Sequence, residues 1–321
     1  MTAPLLEIAD LHLRFRIFEG LSHVLRDVAL RMQPGERVGL VGESGCGKSV
    51  LLRAILGLLD RRSARLDGTI RFAGSDIAGA PERQMRAIRG RRISMIFQDP
   101  ASALNPVFTV GDQLVDIMLH HGAAPNATAA RAQAGEALRQ VLIDDPDRVL
   151  ASYPFQLSGG MNQRVMITIA LINRPLLVLA DEPGTALDVT VQEQTLRLMR
   201  RLTEGAGTAV LLVTHNLGVV REFAERVYVM YAGTIVEQAP AAALFASPLH
   251  PYTRALLAAV PRMTGEALPV PIAGMVPDFI APPPGCRFAP RCPHATAACE
   301  TPPPPVQVAP DHIVACTLYS A

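Results

Sequence analysis

The sequence predicts an α/β fold with a largely parallel sheet, and three observations carry that prediction. Arg37–Val41 is a short β-type run that leads through a glycine-rich octet into Val50–Leu59, which is apolar at helical spacing. Leu176–Ala180 and Ala209–Val213 are continuous apolar runs, the first ending in two carboxylates and the second in Thr214 and His215. Ile93–Phe97 reads as a further strand, apolar but for Ser94 and closed by Gln98-Asp99-Pro100. Strands apolar on every residue are buried on both faces, as in sheets covered by helices on both sides. In sheets of that kind, ligand sites gather at the C-terminal ends of the strands.

Composition narrows the setting. The chain has 321 residues, enough for one large domain or a domain with an appendage. Lys+Arg number 30 and Asp+Glu 29, a net charge of +1, so no basic field favours nucleic acid or an anionic membrane. Apolar residues make up 49%, yet no apolar run approaches the roughly 20 needed to cross a bilayer. The opening MTAPLLEIAD lacks the basic start and apolar stretch of an export signal. A cytoplasmic protein is expected, reaching a membrane only by docking on other chains. Cys46 stands alone in the first 285 residues, while four more cysteines and the proline runs Pro282–Pro284 and Pro302–Pro305 crowd the end. This shift marks a C-terminal extension over 247–321, after a main domain over 1–246.

The octet is Gly42-Glu43-Ser44-Gly45-Cys46-Gly47-Lys48-Ser49, a G-x-x-x-x-G-K-S phosphate loop in its required order of strand, loop and helix. Glycines let successive backbone N–H groups curl around an anion, and the helix N-terminus adds its orphan donors. Lys48 is expected to reach the β- and γ-phosphates of a nucleotide, and the Ser49 hydroxyl to ligate Mg²⁺. No Asn-Lys-x-Asp guanine-reading motif appears, which counts against a GTPase.

Further on, Leu157-Ser158-Gly159-Gly160-Met161-Asn162-Gln163-Arg164 opens the apolar stretch Val165–Ile172, read as a buried helix capped by Ser158. With this motif the chain resembles the ATP-binding cassette (ABC) ATPases, whose signature is LSGGQ-like. The other motifs follow in the family's order. The resemblance implies a P-loop core with an N-terminal antiparallel β subdomain and a helical insert over about 101–154. It also implies a head-to-tail dimer that sandwiches ATP, with a second homologous ATPase subunit or a second copy of this chain. Asp181 then holds Mg²⁺, Glu182 acts as general base on the attacking water, and Gln98 senses both metal and water. His215 contacts the γ-phosphate. Ser158, Gly159, Gly160 and Gln163 contact ATP from the opposite subunit, and Asp188, in Thr185–Asp188, crosses the interface. Phe15 and Phe18 both qualify as the ring that stacks on adenine, and spacing does not choose between them. Two positions depart from the family's usual residues, Asn162 for a basic side chain and Gly184 for threonine.

Ser247–Leu257, Phe97–Pro100 and Leu104–Val110 resemble the dipeptide, oligopeptide and nickel importers in particular. That implies import of peptides, with nickel or another small solute as the alternative. It further implies docking on two membrane permease subunits at the cytoplasmic face, indirect dependence on an extracytoplasmic solute-binding protein, and no nucleic-acid partner. The runner-up is a soluble ATPase of the same type acting on a macromolecule. His250 and Tyr252 read as a turn followed by a packed helix.

Cys286, Cys292, Cys299 and Cys316 stand at C-x5-C-x6-C-x16-C. In a reducing compartment four clustered thiols suit a metal better than disulfides. The spacing alone leaves Zn²⁺ and an iron–sulfur cluster open, with His294 and His312 as possible zinc ligands. Some dipeptide-importer ATPases carry four cysteines arranged similarly around a [4Fe–4S] cluster, and the resemblance favours that group.

Overall fold

A computed structural model of the chain describes residues 3–184, 189–260 and 271–320. Strands β1 (Leu6–Ile17) and β2 (Gly20–Met32) precede β3 (Arg37–Val41), the phosphate loop and α1 (Lys48–Ile55). Next come β4 (Ala64–Phe72), β5 (Ser75–Asp76), α2 (Glu82–Ile88) and β6 (Ile93–Ile96). The helical insert is α3 (Pro100–Ala103), α4 (Val110–His120), α5 (Ala127–Gln140) and α6 (Pro146–Ala151). The signature helix α7 (Gly159–Leu171) leads to β7 (Leu177–Asp181), α8 (Val189–Ala206), β8 (Ala209–Thr214) and α9 (Leu217–Phe223). The chain continues with β9 (Arg226–Tyr231), β10 (Thr234–Pro240), α10 (Ala241–Ala246), α11 (Pro251–Ala258), β11 (Val306–Ala309) and β12 (His312–Val314).

The chain forms two compact units. One holds the described residues up to Gln33, Arg37–Ala80, and those from Val213 onward; the other holds Pro34–Glu36 and Pro81–Leu212. In the first unit, β1 pairs antiparallel with β2 and β4 in a sheet ordered β2-β1-β4-β5, the antiparallel subdomain expected of the family. Leu6, Ile8, Leu11, Leu13, Leu25, Val28 and Leu30 are at most 1% exposed, so this sheet buries an apolar face. The second sheet of that unit runs β11-β12-β10-β9-β3, with β3 parallel to β9 and the β9–β10 hairpin antiparallel. β12 adds to β10 through Glu237↔Val314 and Gln238↔Ile313, so the last strands of the chain extend the hairpin. In the second unit, β6 pairs parallel with β7, Ile93 opposite Leu177. All residues of β7 and β8 are buried, as their unbroken apolar runs require.

Local chemistry sets the helix starts. Thr109 forms a reciprocal capping box with Asp112 at α4, Asn126 caps α5, and Asp145 caps α6 with Pro146 behind it. α1 begins two residues before the apolar run suggested, because Gly47 at φ 105° turns the loop directly into it. It ends at Ile55, with Gly57 at φ 61° just beyond. Among the described residues no helix is long and apolar enough to cross a membrane.

Candidate functional site

The phosphate loop grows from the end of β3, held in register by Val41↔Val229. Gly42 leaves the strand at φ 155°, and a Cβ there would stand 2.1 Å from the Met230 carbonyl oxygen. At Gly47 a Cβ would press on Leu25 at 3.0 Å with φ at 105°. Only glycine closes the loop at both points. Ser44 and Gly45 are exposed at its tip, while Cys46 points inward, its thiol pushed up by burial against the opposing pull of Lys48. Lys48 is 5% exposed, and its Nζ donates to the carbonyls of Gly42 at 2.8 Å and Glu43 at 2.9 Å. Its third proton meets only Cys46 Sγ at 3.6 Å, a weak acceptor that a phosphate oxygen would displace. Ser49 follows, half-buried, in the first turn of α1.

Two residues that sequence reasoning did not connect with this loop touch it. The Tyr252 hydroxyl accepts from the Glu43 N–H, and the Arg291 guanidinium grips the Glu43 carboxylate. Local spacing carries no signal for contacts made across 209 and 248 positions. His215, also in the first unit, is exposed just after β8. Phe15 is half-buried on β1, while Phe18 stands fully exposed at the β1–β2 turn.

The second unit gathers the other expected residues at strand ends. Asp181 closes β7 at 6% exposure. Glu182 follows at φ 46°, a left-handed conformation uncommon outside glycine, and it bends the chain directly after the strand. Gln98, exposed beyond β6, donates from Nε2 to Glu182 Oε2 at 3.4 Å. Gly184 takes φ 95°, with Gln192 Cγ 3.3 Å from the place of a Cβ, so the family's threonine would be strained in this conformation. Asp188 lies outside the described residues.

At α7 the Ser158 Oγ accepts from the Met161 N–H at 3.3 Å, the cap the sequence suggested, and Ser158 and Gly159 are exposed at the helix start with Gly160 half-buried. Gln163 is not with them. It is fully buried one turn in, and its amide oxygen and nitrogen have no partner. Asn162 is buried as well, donating to the Pro154 carbonyl at 3.0 Å.

The four clustered cysteines, all without disulfides, line one small cavity with Phe288, His294 and His250. The expected metal set is not assembled there: among the described residues no group of three or more His, Cys, Asp or Glu side chains could hold a metal ion. Burial pushes the Cys286, Cys292 and Cys316 thiols up. Cys299 shifts the other way, its thiol lowered by hydrogen bonds at Thr296 and Thr317. His312 is committed elsewhere, its Nε2 lying 2.8 Å from Glu237 Oε1. His250 was read from sequence as a turn residue, and it does cap α11. Its Nδ1 accepts from the Tyr252 N–H, which leaves the proton on Nε2, a buried atom with no partner.

The family model for ABC transporters matches residues 25–185, and that for the oligopeptide/dipeptide transporter C-terminal region matches residues 236–299. A probable peptide ABC transporter ATP-binding protein of Sinorhizobium fredii is 48% identical over 97% of this chain and 94% of its own length. The dipeptide transport ATP-binding protein DppD of Bacillus subtilis is 45% identical over 98% of this chain and 94% of its own. Among solved structures, the dimeric ATP-binding cassette MJ0796 bound to ADP and Pi superimposes with a TM-score of 0.66 at 28% identity. That match covers 74% of this chain and 98% of the cassette. With its phosphate loop, capped signature helix and strand-end carboxylates in place, the chain belongs to the ABC transporter family of ATP-binding proteins and carries the C-terminal region of its oligopeptide/dipeptide members.

Proposed function

We propose that this chain hydrolyses ATP to power the import of dipeptides or oligopeptides through a membrane transporter, as the cassette 1–246 with its extension 247–321. The observation that carries the reading is the phosphate loop with Lys48 poised at its centre, in a chain whose relatives are named peptide and dipeptide transport proteins. Gly42–Ser49 cradle the phosphates, and the Lys48 Nζ proton that faces Cys46 Sγ meets the β- and γ-oxygens instead. Ser49, Gln98 and Asp181 supply oxygen ligands for Mg²⁺. Glu182 takes the proton of the attacking water, with Gln98 orienting it, and His215 contacts the γ-phosphate. Phe15 or Phe18 stacks on adenine. Ser158, Gly159 and Gly160 close on the ATP of a partner cassette, and Asp188 contributes at that interface. Gln163 supports the signature helix from within, since its burial removes it from direct contact as the helix stands.

Two cassettes, a pair of copies or this chain with a second homologous ATPase, close on ATP and reopen after hydrolysis. The helices between Pro100 and Ala151 meet two permease subunits at the cytoplasmic face, and an extracytoplasmic binding protein delivers the solute. The cysteine cavity offers soft donors of the kind a metal centre takes, because Cys286, Cys292, Cys299 and Cys316 all line it. Cys286, Cys292, Cys299 and Cys316 would hold it, as a [4Fe–4S] cluster or, alternatively, Zn²⁺, supplying a cross-link for the extension. Iron and sulfide analysis of anaerobically purified protein separates the two.

The testing experiment is a mild-detergent pull-down of the tagged chain from its own cells, followed by dipeptide-stimulated ATPase assay of the recovered complex. Two multi-span permease chains and stimulated hydrolysis are expected. Recovery of soluble partners alone overturns the transport reading.

A further inference from the structure

The structure assigns Arg291 and Tyr252, both in the C-terminal extension, as positioning residues of the phosphate loop, acting through Glu43. This deepens, and rests on, the reading of the chain as an ATPase. Glu43 is the second residue of the loop, and each of its polar groups is engaged. Its carboxylate takes a two-pronged grip from Arg291, Nη1 to Oε2 at 2.8 Å and Nη2 to Oε1 at 3.1 Å. Its N–H donates to the Tyr252 hydroxyl at 2.8 Å. Its carbonyl accepts from Lys48 Nζ at 2.9 Å and from the Cys46 N–H at 3.3 Å.

The two clamps are themselves fixed. The Arg291 side chain is 4% exposed, its Nε donates to the Ala273 carbonyl at 2.8 Å, and its Nη2 also reaches the Ile272 carbonyl at 3.1 Å. Its Nη1 donates to the Tyr231 hydroxyl at 3.2 Å, with the guanidinium 5.7 Å over that ring. Tyr252 is fully buried against the same Tyr231, ring centres 4.6 Å apart. A planar guanidinium on a carboxylate fixes direction as well as distance, which a lysine would not.

Glu43 therefore stands as a peg between the extension and the loop. Because Lys48 is anchored to the Glu43 carbonyl, releasing the carboxylate or the N–H of Glu43 lets the lysine and the loop's donors drift together. Those groups hold phosphate before and during the reaction alike. Their loosening weakens nucleotide binding and raises KM, while kcat changes little. A general loss of structure does the opposite, reducing the fraction of competent molecules at unchanged affinity.

Calorimetric titration of the full-length chain with MgATP reads both quantities, as Kd and as stoichiometry. For Arg291→Gln, and for Tyr252→Phe, which keeps its shape in the core, Kd should rise about tenfold at unchanged stoichiometry, the loss of one charged or buried hydrogen bond. The double variant Arg291→Gln with Glu43→Gln should bind within about twofold of Arg291→Gln alone, because both changes break one link. Unchanged Kd in the two single variants overturns the assignment, as does a fall in stoichiometry without weaker binding. Roughly hundredfold weakening in the double variant overturns the route through Glu43. If the unaltered chain fails to bind MgATP, or binds it equally after Lys48→Ala, the ATPase reading itself falls.

Discussion

Glu237 on β10 is fully buried, and three donors converge on its carboxylate. Oε1 accepts from the Leu249 N–H at 2.9 Å and lies 2.8 Å from His312 Nε2, while Oε2 accepts from the His250 N–H at 2.9 Å. One carboxylate thus joins the hairpin to the start of α11 and to β12. In Glu237→Gln the single amide oxygen serves Leu249 and His312, and the new NH₂ group faces the His250 N–H, donor against donor. One charge-assisted bond is lost outright and two weaken to neutral ones, about 3–5 kcal/mol in total. For a unit of this size that corresponds to a fall of about 10 °C in the first thermal transition. Circular dichroism at neutral pH reads the transition, and amide exchange at Leu249 and His250 localises the loss. A change below about 1 kcal/mol, or undiminished protection at those two amides, would refute this account of the buried carboxylate.

Other expectations can be checked more briefly. Glu182→Gln should slow phosphate release by about 10²–10⁴-fold while MgATP binding survives; near-normal turnover would remove Glu182 from the role of base. Burial, with Arg254 nearby, lowers the His250 pKa to about 3 from an ordinary 6.5. A histidine held neutral in this way contributes stability that is fully present above pH 6.5 and erodes toward pH 3, by up to about 1.4 kcal/mol per pH unit. His250→Asn, which retains a capping side chain, should flatten that acid limb in urea titrations run at several pH values. Thr109→Ala breaks the capping box at α4 and should cost about 1 kcal/mol, seen as faster amide exchange in the first turn of that helix.

Much of the fold was legible because its signals are local. The apolar runs at β3, β6, β7 and β8 mark strands buried on both faces, and Ser158 announces its helix by a side chain that can cap it. The phosphate loop is legible for the same reason, since Gly42 and Gly47 are demanded by backbone geometry that no other residue meets. The signature helix was legible as an element but not residue by residue. Gln163 follows Gly159 and Gly160 closely, yet helical rotation turns it into the core. The extension was the least legible. A proline-rich stretch has no period from which to read facing, so nothing announced that Arg291 would reach Glu43, that His312 would turn to Glu237, or that His250 would line the cysteine cavity.

The addition of β12 to β10 has a consequence for solubility. Without the last strands, the backbone groups of Val236, Glu237 and Gln238 on that side of β10 would lose their partners and become a template for another chain to pair with. With them, the outermost strand is β11, only four residues long and entered from Pro302–Pro305, none of which carries an N–H to donate. These strands thus replace an adhesive margin with a short and partly mute one. A protein ended after Ala246 should aggregate through that margin even while its phosphate loop retains every residue of its own.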